Sequence, residues 1–339
     1  MSKFLVTGAS GFVGGHLVEA LNRGGHQIRC LVRASSDVQL LKSQDIELIN
    51  GELDCRDTLV RAVDGMDYVM HLAGRTNALD LDQLLKVNRD GTYYLAQACA
   101  AQSTAPVLVI CSSIAASGPT WHGRCRLESD VPQPVSNYGI SKRAAECAAL
   151  LFADKVPVTI VRPGIVFGQR NLELLPVFQS MNRIGAHAVI GIASPRISMI
   201  HVDDLCQLMI LAALQGTRVK VDCNLQAIRG EGIYYGVCSE YPTYAQLGSM
   251  LKQVFRKRGG RPTLIPSPLS WTMGFMMELC ARLRGRQLTF NLDKVREAHS
   301  DNWACSLQNV TRDFQFTFPV PLQQRLLETA NWYRDHQWL

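Results

Sequence analysis

Thr7-Gly8-Ala9-Ser10-Gly11-Phe12-Val13-Gly14 is the stretch on which the fold turns. The preceding Phe4-Leu5-Val6 reads as a short apolar strand, and residues 12–21 read as the helix that follows it. Glycine at such a turn tolerates positive φ. Without a side chain it also lets the backbone close on a pyrophosphate, whose charge the helix N-terminus favours. The stretch predicts a dinucleotide site formed by Thr7, Gly8, Ser10, Gly11, Phe12, Val13 and Gly14. A tight turn that holds no ligand is the competing reading, so the rest of the chain must decide.

Outward from this turn, short apolar runs alternate with helical periodicity as far as residue 168. Strands are expected at 4–6, 27–32, 46–49, 68–72, 106–111 and 156–161, with helices between them, including 81–101 and 137–152. Strict alternation implies parallel strands joined by right-handed crossovers. Near-continuous apolar runs such as Val107-Leu108-Val109-Ile110 fit a sheet covered on both faces. The fold class expected is therefore α/β, a Rossmann-type doubly wound parallel sheet with a smaller, mostly helical C-terminal part. Residues 1–168 form the dinucleotide-binding domain in this reading, completed by strands at 195–201 and 219–225 within 196–226. Residues 169–195 and 227–339 form a substrate-binding lid, with helices at 243–256, 268–283, 292–298 and 321–336.

The 339 residues, 47% of them hydrophobic, suffice for a large core. The net charge of +6 is spread along the chain except at Arg256-Lys257-Arg258 and Arg261, which does not call for a nucleic-acid partner. Eleven cysteines without close pairing or metal-type spacing read as reduced thiols of a cytoplasmic protein, and no metal site is expected. Because the first strand is read from residue 4 on, no secretory signal peptide is expected. Residues 266–283 are apolar but broken by Ser270, Gly274 and Glu278, so no transmembrane span is expected. Peripheral membrane contact by an amphipathic helix stays open there, beside the plainer reading of a packed helix.

The second strand is followed by Arg33, where an acidic residue would accept the ribose hydroxyls of NAD. A guanidinium instead favours a 2′-phosphate by charge and paired hydrogen bonds, so NADP(H) is favoured over NAD(H). An exposed Arg33 with Asp37 reaching the ribose is the alternative. Leu53 and Asp54 after the third strand, and Leu72, Ala73 and Gly74 after the fourth, fall on the ligand side, where Asp54 suits an adenine amino group. Tyr138 and Lys142 stand four apart on one helix face, and a nearby cation stabilises phenolate. Ser113, at the end of the fifth strand, adds a hydroxyl at the same sheet edge.

Taken in order, these elements resemble the extended short-chain dehydrogenase/reductase family, within which dihydroflavonol reductases and 3β-hydroxysteroid dehydrogenases are nearest in pattern. The set comprises the turn, Asp54, residues 71–74, Val87-Asn88-Arg89-Asp90-Gly91-Thr92, Ser112-Ser113, Tyr138 with Lys142, Arg162-Pro163-Gly164 and Ile200-His201-Val202-Asp203-Asp204. The resemblance implies that Ser113, Tyr138 and Lys142 are catalytic and that Lys142 also bonds the nicotinamide ribose. It further implies that Asn88 braces the site, that Pro163 and Gly164 lie against the nicotinamide, and that His201 and Asp203-Asp204 are structural. A homodimer is a family-level expectation. Nucleotide-sugar enzymes of this family carry an asparagine that contacts the substrate phosphate, and this chain, with Ile165 in that position, lacks that polar anchor. The expected activity is NADP(H)-linked hydride transfer to or from a carbonyl or secondary alcohol of a small apolar molecule. Nucleotide-sugar epimerisation or dehydration with retained NAD(P) is the alternative, and a non-catalytic NADP(H)-binding scaffold the third.

Overall fold

The computed structural model describes residues 1–121, 123–190, 195–257, 263–284, 291–316 and 318–339. Its strands are β1 (Lys3–Thr7), β2 (Gln27–Val32), β3 (Glu47–Asn50), β4 (Tyr68–His71), β5 (Val107–Cys111), β6 (Val158–Pro163), β7 (Ile165–Phe167), β8 (Ala188–Ile190), β9 (Met199–His201), β10 (Ile233–Gly236) and β11 (Thr263–Ile265). The helices of the first half are α1 (Phe12–Arg23), α2 (Gln39–Lys42), α3 (Arg56–Val63), α4 (Leu81–Leu85), α5 (Gly91–Ala100), α6 (Ile114–Ser117) and α7 (Asn137–Leu150). Those of the second half are α8 (Leu175–Ile184), α9 (Val202–Leu214), α10 (Tyr244–Val254), α11 (Ser267–Arg284), α12 (Leu292–Ala298), α13 (Gln308–Phe314) and α14 (Leu322–Asp335).

Seven strands form one parallel sheet in the order β10-β6-β5-β4-β1-β2-β3. Apolar side chains alternate through it into two buried clusters. Phe4, Val6, Cys30, Met70 and Val109 face α1 and α9, and Leu5, Val69, Leu108, Ile110 and Ile160 face α3, α5 and α7. Chain order reverses between β1 and β4, and ligands of such sheets bind at that switch point, beyond the carboxyl ends of the strands. The glycine turn lies there.

The expectations for the second half need correction. The strand foreseen at 195–201 shrinks to β9, which pairs with β7 in a separate two-stranded sheet. No strand forms at 219–225, because the Asp222 side chain accepts from the Asn224 and Gln226 N–H groups and Leu225 takes a positive φ, closing a turn instead. Ile233–Gly236, within the stretch assigned to the lid, completes the sheet beside β6. Helix α9, whose Leu205, Leu208 and Met209 pack beneath the sheet, was not foreseen. The helix expected at 81–101 is interrupted by a π-helical turn, Lys86–Asp90, between α4 and α5. The expected structural role of Asp204 is seen, since it takes a two-pronged bond from Arg325 of α14. His201 caps α9 by accepting from the Asp203 N–H.

Gly14 sits in the first turn of α1, where an added Cβ would lie 2.1 Å from the Gly8 carbonyl oxygen. A methyl group there displaces backbone on both sides of the turn. Gly14→Ala is expected to lower the unfolding free energy by about 2 kcal/mol and to weaken dinucleotide binding. Urea denaturation and NADPH titration check this, and wild-type values in both would contradict the packing described.

Candidate active site

The turn after β1 is closed by the Gly11 N–H donating to the Gly8 carbonyl at 3.0 Å. Gly8 has φ +75°, and a Cβ on it would stand 2.7 Å from the Ala73 nitrogen and 2.9 Å from the Leu72 carbonyl carbon. Only glycine lets the turn lie against the end of β4. Gly11 begins α1 with no side-chain cap, and Ser10 and Gly11 are exposed, leaving the first N–H groups of the helix open to an anion. Phe12 and Val13 are half-buried against the core. These residues fit a dinucleotide pyrophosphate.

Beneath the turn runs a hydrogen-bonded chain whose proton positions follow from donor counting. The Thr92 hydroxyl donates to the Asn88 carbonyl at 2.6 Å, so at 2.9 Å it must accept from His71 Nε2. Neutral His71 then accepts at Nδ1 from the Thr7 hydroxyl at 2.8 Å, and Thr7 Oγ1 accepts the Ala73 N–H at 3.2 Å. His71 is 3% exposed, and burial, with the Lys142 ammonium adding to it, holds its pKa down at about 3. Thr92 and His71 were not singled out in the sequence as site residues. Their signal is the placement of Asn88 and Thr92 four apart on one helix, opposite a histidine that ends a strand.

Asn88 lies in the π turn, a feature that often marks functional positions. Its amide donates to the Arg75 carbonyl and to Ser141 Oγ, both at 2.9 Å, and its Oδ1 accepts the Arg75 N–H at 2.7 Å. Ser141 in turn donates to the Tyr138 carbonyl at 2.8 Å. Asn88 thus braces the loop after β4 against the helix that carries Tyr138 and Lys142. A Cβ on Gly74 would stand 3.1 Å from Asn88 Oδ1 and 3.7 Å from Lys142 Nζ.

Ser113 follows β5 and caps α6, accepting the Ala115 N–H at 3.1 Å. Its hydroxyl is close enough to the Tyr138 phenol to favour the ionised phenolate. Burial pushes that phenol above its ordinary pKa, with Cys111 adding to the rise and the Ser113 hydroxyl opposing it. Lys142, 8% exposed, donates to the Cys111 carbonyl at 2.7 Å, and burial holds its ammonium below the ordinary value. Lowering of the phenol pKa by Lys142, expected from their spacing, is not seen in this arrangement, because the ammonium is turned to Cys111.

The other expected residues occupy the same sheet edge. Arg33 lies exposed just past β2, in a turn where the Ser36 N–H donates to the Arg33 carbonyl. Asp37 accepts the Gln39 N–H at 3.0 Å. Leu53 fills the space that a side chain at Gly91 would take, and Asp54 beside it is exposed. Pro163 and Gly164 follow Val161, which pairs with Cys111, so Pro163 comes level with Ser113. A Cβ on Gly164 would lie 2.4 Å from the Ser198 carbonyl oxygen, so that glycine also serves packing.

Tyr138 faces a cavity whose walls include Asn77, Leu84, Asn137, Glu278, Ala281, Asp293 and Lys294. Helix α12 is tied to the start of α7: Asp293 Oδ2 accepts the Tyr138 N–H at 3.3 Å and Glu297 accepts from Ser136 Oγ at 2.8 Å. Two carboxylates thereby meet the positive end of the helix that bears Tyr138. The sequence reading passed over both, although they stand four apart on one helix. Met273, Phe275 and Met276 of α11 neither line this cavity nor enter the core; all three are exposed. Arg256 and Lys257 of the basic run are exposed, while Arg258 and Arg261 lie outside the described residues.

A doubly wound sheet with a glycine turn at its switch point and a serine, tyrosine and lysine gathered on its carboxyl edge places the chain among nicotinamide-dependent oxidoreductases. It belongs to the NAD dependent epimerase/dehydratase family, whose pattern matches residues 4–224, and is an NAD(P)-dependent enzyme of the extended short-chain type. It is 30% identical over 336 residues to a ceramide reductase of Caulobacter vibrioides, covering 98% of this chain and 95% of the relative. Identity to a putative dihydroflavonol 4-reductase of Synechocystis is 25%, again covering 98% and 95%. The dTDP-glucose 4,6-dehydratase of Bacillus anthracis, solved in complex with NAD, superposes with a TM-score of 0.77 at 17% identity, covering 100% of this chain and 98% of that one, and so shares the fold.

Neutral His71 implies a specific acid sensitivity. Its folded pKa of about 3 lies below the ordinary 6.5, so its contribution to stability is complete above pH 6.5 and is lost as pH falls from 6.5 toward 3. Over that window the unfolded chain takes up a proton that the folded chain refuses. His71→Gln is expected to flatten the stability-against-pH slope by one proton, about 1.4 kcal/mol per pH unit. Denaturation series between those limits measure it, and identical slopes would refute the neutral assignment.

Proposed function

We propose that the protein is an NADP(H)-dependent reductase acting on the carbonyl of an apolar, lipid-like substrate, or on the corresponding secondary alcohol in reverse. The observation that carries this reading is the gathering of Ser113, Tyr138 and the buried Lys142, which donates to the Cys111 carbonyl, at the sheet edge that also holds the glycine turn. The turn from Thr7 to Gly14, with Leu53, Asp54, Leu72, Ala73, Gly74, Asn88, Pro163 and Gly164, would hold the dinucleotide. Arg33 would pair with a 2′-phosphate. When bound, the nicotinamide supplies or accepts the hydride.

Ser113 holds the substrate oxygen by a hydrogen bond, aligning the carbonyl carbon. Tyr138 donates its phenolic proton to that oxygen as the alcohol forms, and recovers a proton from solvent afterwards. An approaching negative oxygen needs a donor that is still protonated, which the raised phenol pKa ensures in the reductive direction. Once it turns from the Cys111 carbonyl, Lys142 would supply a positive charge beside the phenol and a donor for a ribose hydroxyl. Ile165 in place of an asparagine disfavours a nucleotide sugar, and the ceramide reductase relative, matched along nearly its whole length, supports a lipid-like carbonyl compound.

Tyr138→Phe should lower turnover of a ketone substrate by about 10²- to 10⁴-fold while leaving NADPH binding unchanged, read by steady-state kinetics and by fluorescence titration. Undiminished turnover would rule out the assigned proton donor. Arg33→Ala should weaken NADPH binding by roughly 10- to 100-fold, the loss of a charge-assisted pair, with NADH affinity unaltered. Equal losses for both cofactors would remove the 2′-phosphate role.

A further inference from the structure

Helix α11 turns its small residues inward and its large apolar residues outward. Its buried positions are Ser270, Gly274 and Ala281. A Cβ on Gly274 would lie 2.8 Å from Val295 Cγ2, and Ser270 Oγ bonds His299 Nε2 at 2.9 Å, so the helix is held tightly on α12 and the turn after it. On the opposite side Leu269, Met273, Phe275, Met276, Leu279 and Leu283 are exposed, Phe275 to 58% and Leu283 to 79%. A surface helix of a water-soluble domain shows the reverse arrangement. Its 18 residues present this stripe over about 27 Å, at the rise of an α-helix.

Further exposed apolar residues lie next to the helix in the chain and shortly before the strand paired with its approach. Leu264 of β11, just ahead of α11, is exposed, and β11 pairs with β8. Ile184, at the end of α8 shortly before β8, is 77% exposed. Exposed cations flank these segments in the chain: Arg183 just before Ile184, with Lys257 beside Gly185 and Arg256 next to it, and Arg282 and Arg284 at the end of α11. The acidic residue of α11, Glu278, is turned to the cavity and pairs with Arg282 at 2.7 Å.

We propose that this face docks on an anionic lipid bilayer, with α11 lying in the boundary between headgroups and acyl chains and the flanking cations on the headgroups. Among the described residues no helix is long and apolar enough to cross a membrane, so the contact is peripheral. A second copy of the chain would bring the same cations against each other, whereas an anionic surface matches them. Helix α11 also supplies Glu278 and Ala281 to the wall of the cavity that Tyr138 faces, so docking sets that cavity beside the bilayer. Resting on the reductase reading, this makes the substrate an amphipathic lipid ketone that enters from the membrane with its polar end toward Tyr138.

The test is co-sedimentation of the full chain with vesicles of equal phosphatidylcholine and phosphatidylglycerol, and with vesicles of phosphatidylcholine alone. Binding to the mixed vesicles is expected to be at least about tenfold stronger and to fall as salt rises. Phe275→Ser/Leu283→Ser is expected to lose about tenfold in partitioning, with circular dichroism and NADPH affinity as in the wild type. Absence of wild-type binding to either vesicle, or undiminished binding of the variant, overturns the proposal. A wild-type dimer that the same variant converts to monomer overturns it in favour of self-association. Vesicle binding without reduction of any ketone, or reduction of a soluble ketone without vesicle binding, separates failure of the reductase reading from failure of the docking.

Discussion

The contact between the turn after β1 and the end of β4 governs the site. Gly8 and Ala73 approach so closely that a Cβ on Gly8 would stand 2.7 Å from backbone. That approach lets Thr7 accept the Ala73 N–H and pass a hydrogen-bonded chain through His71 and Thr92 to Asn88. Asn88 then reaches Ser141, and Ser141 reaches the carbonyl of Tyr138. The turn that suits a pyrophosphate and the helix that bears the proposed proton donor are therefore fixed in one frame. A chain in which each group has its partner is rigid, whereas one missing link leaves a buried polar group uncompensated.

A second buried network supports the other side of the site. Arg162 on β6 and Glu146 on α7 are both fully buried and paired through two bonds, at 2.8 and 2.7 Å. Burial opposes ionisation of Glu146, but the charge and bonds of Arg162 prevail and hold its carboxyl below the ordinary range. Ser112 donates to the same carboxylate at 2.5 Å, which fixes the residue before Ser113. Such a pair adds little net stability against an apolar replacement, yet losing one partner strands a buried charge, so its worth lies in holding β5, β6 and α7 in register.

Much of the frame was legible in the sequence because it is local. Six strands of the sheet begin and end within two residues of their apolar runs, and Ser113, Tyr138 and Lys142 fall together because each sits at a strand end or on one helix face. What the sequence hid depends on tertiary partners. Ile233–Gly236 is only four residues long, so the Asp222 turn and the longer apolar run before it misled the assignment of the last strand. The neutral state of His71 follows from its burial, and its tautomer from Thr92, a residue distant in sequence. Periodicity located α11 but not its orientation. The small inward residues Ser270, Gly274 and Ala281 read as interruptions of an apolar segment until their packing on α12 is seen.

The proposed reaction is a net hydride transfer at the edge shared by the glycine turn and the Ser113–Tyr138 pair, with the nicotinamide leaving oxidised. Following deuterium from the reactive C4 position of labelled NADPH, across a panel of long-chain ketones and nucleotide ketosugars, tests it most directly. Deuterium is expected on the carbinol carbon of a lipid-like product, with one NADP⁺ released for each product formed. Deuterium that stays on a retained cofactor while a nucleotide sugar is epimerised or dehydrated would contradict it.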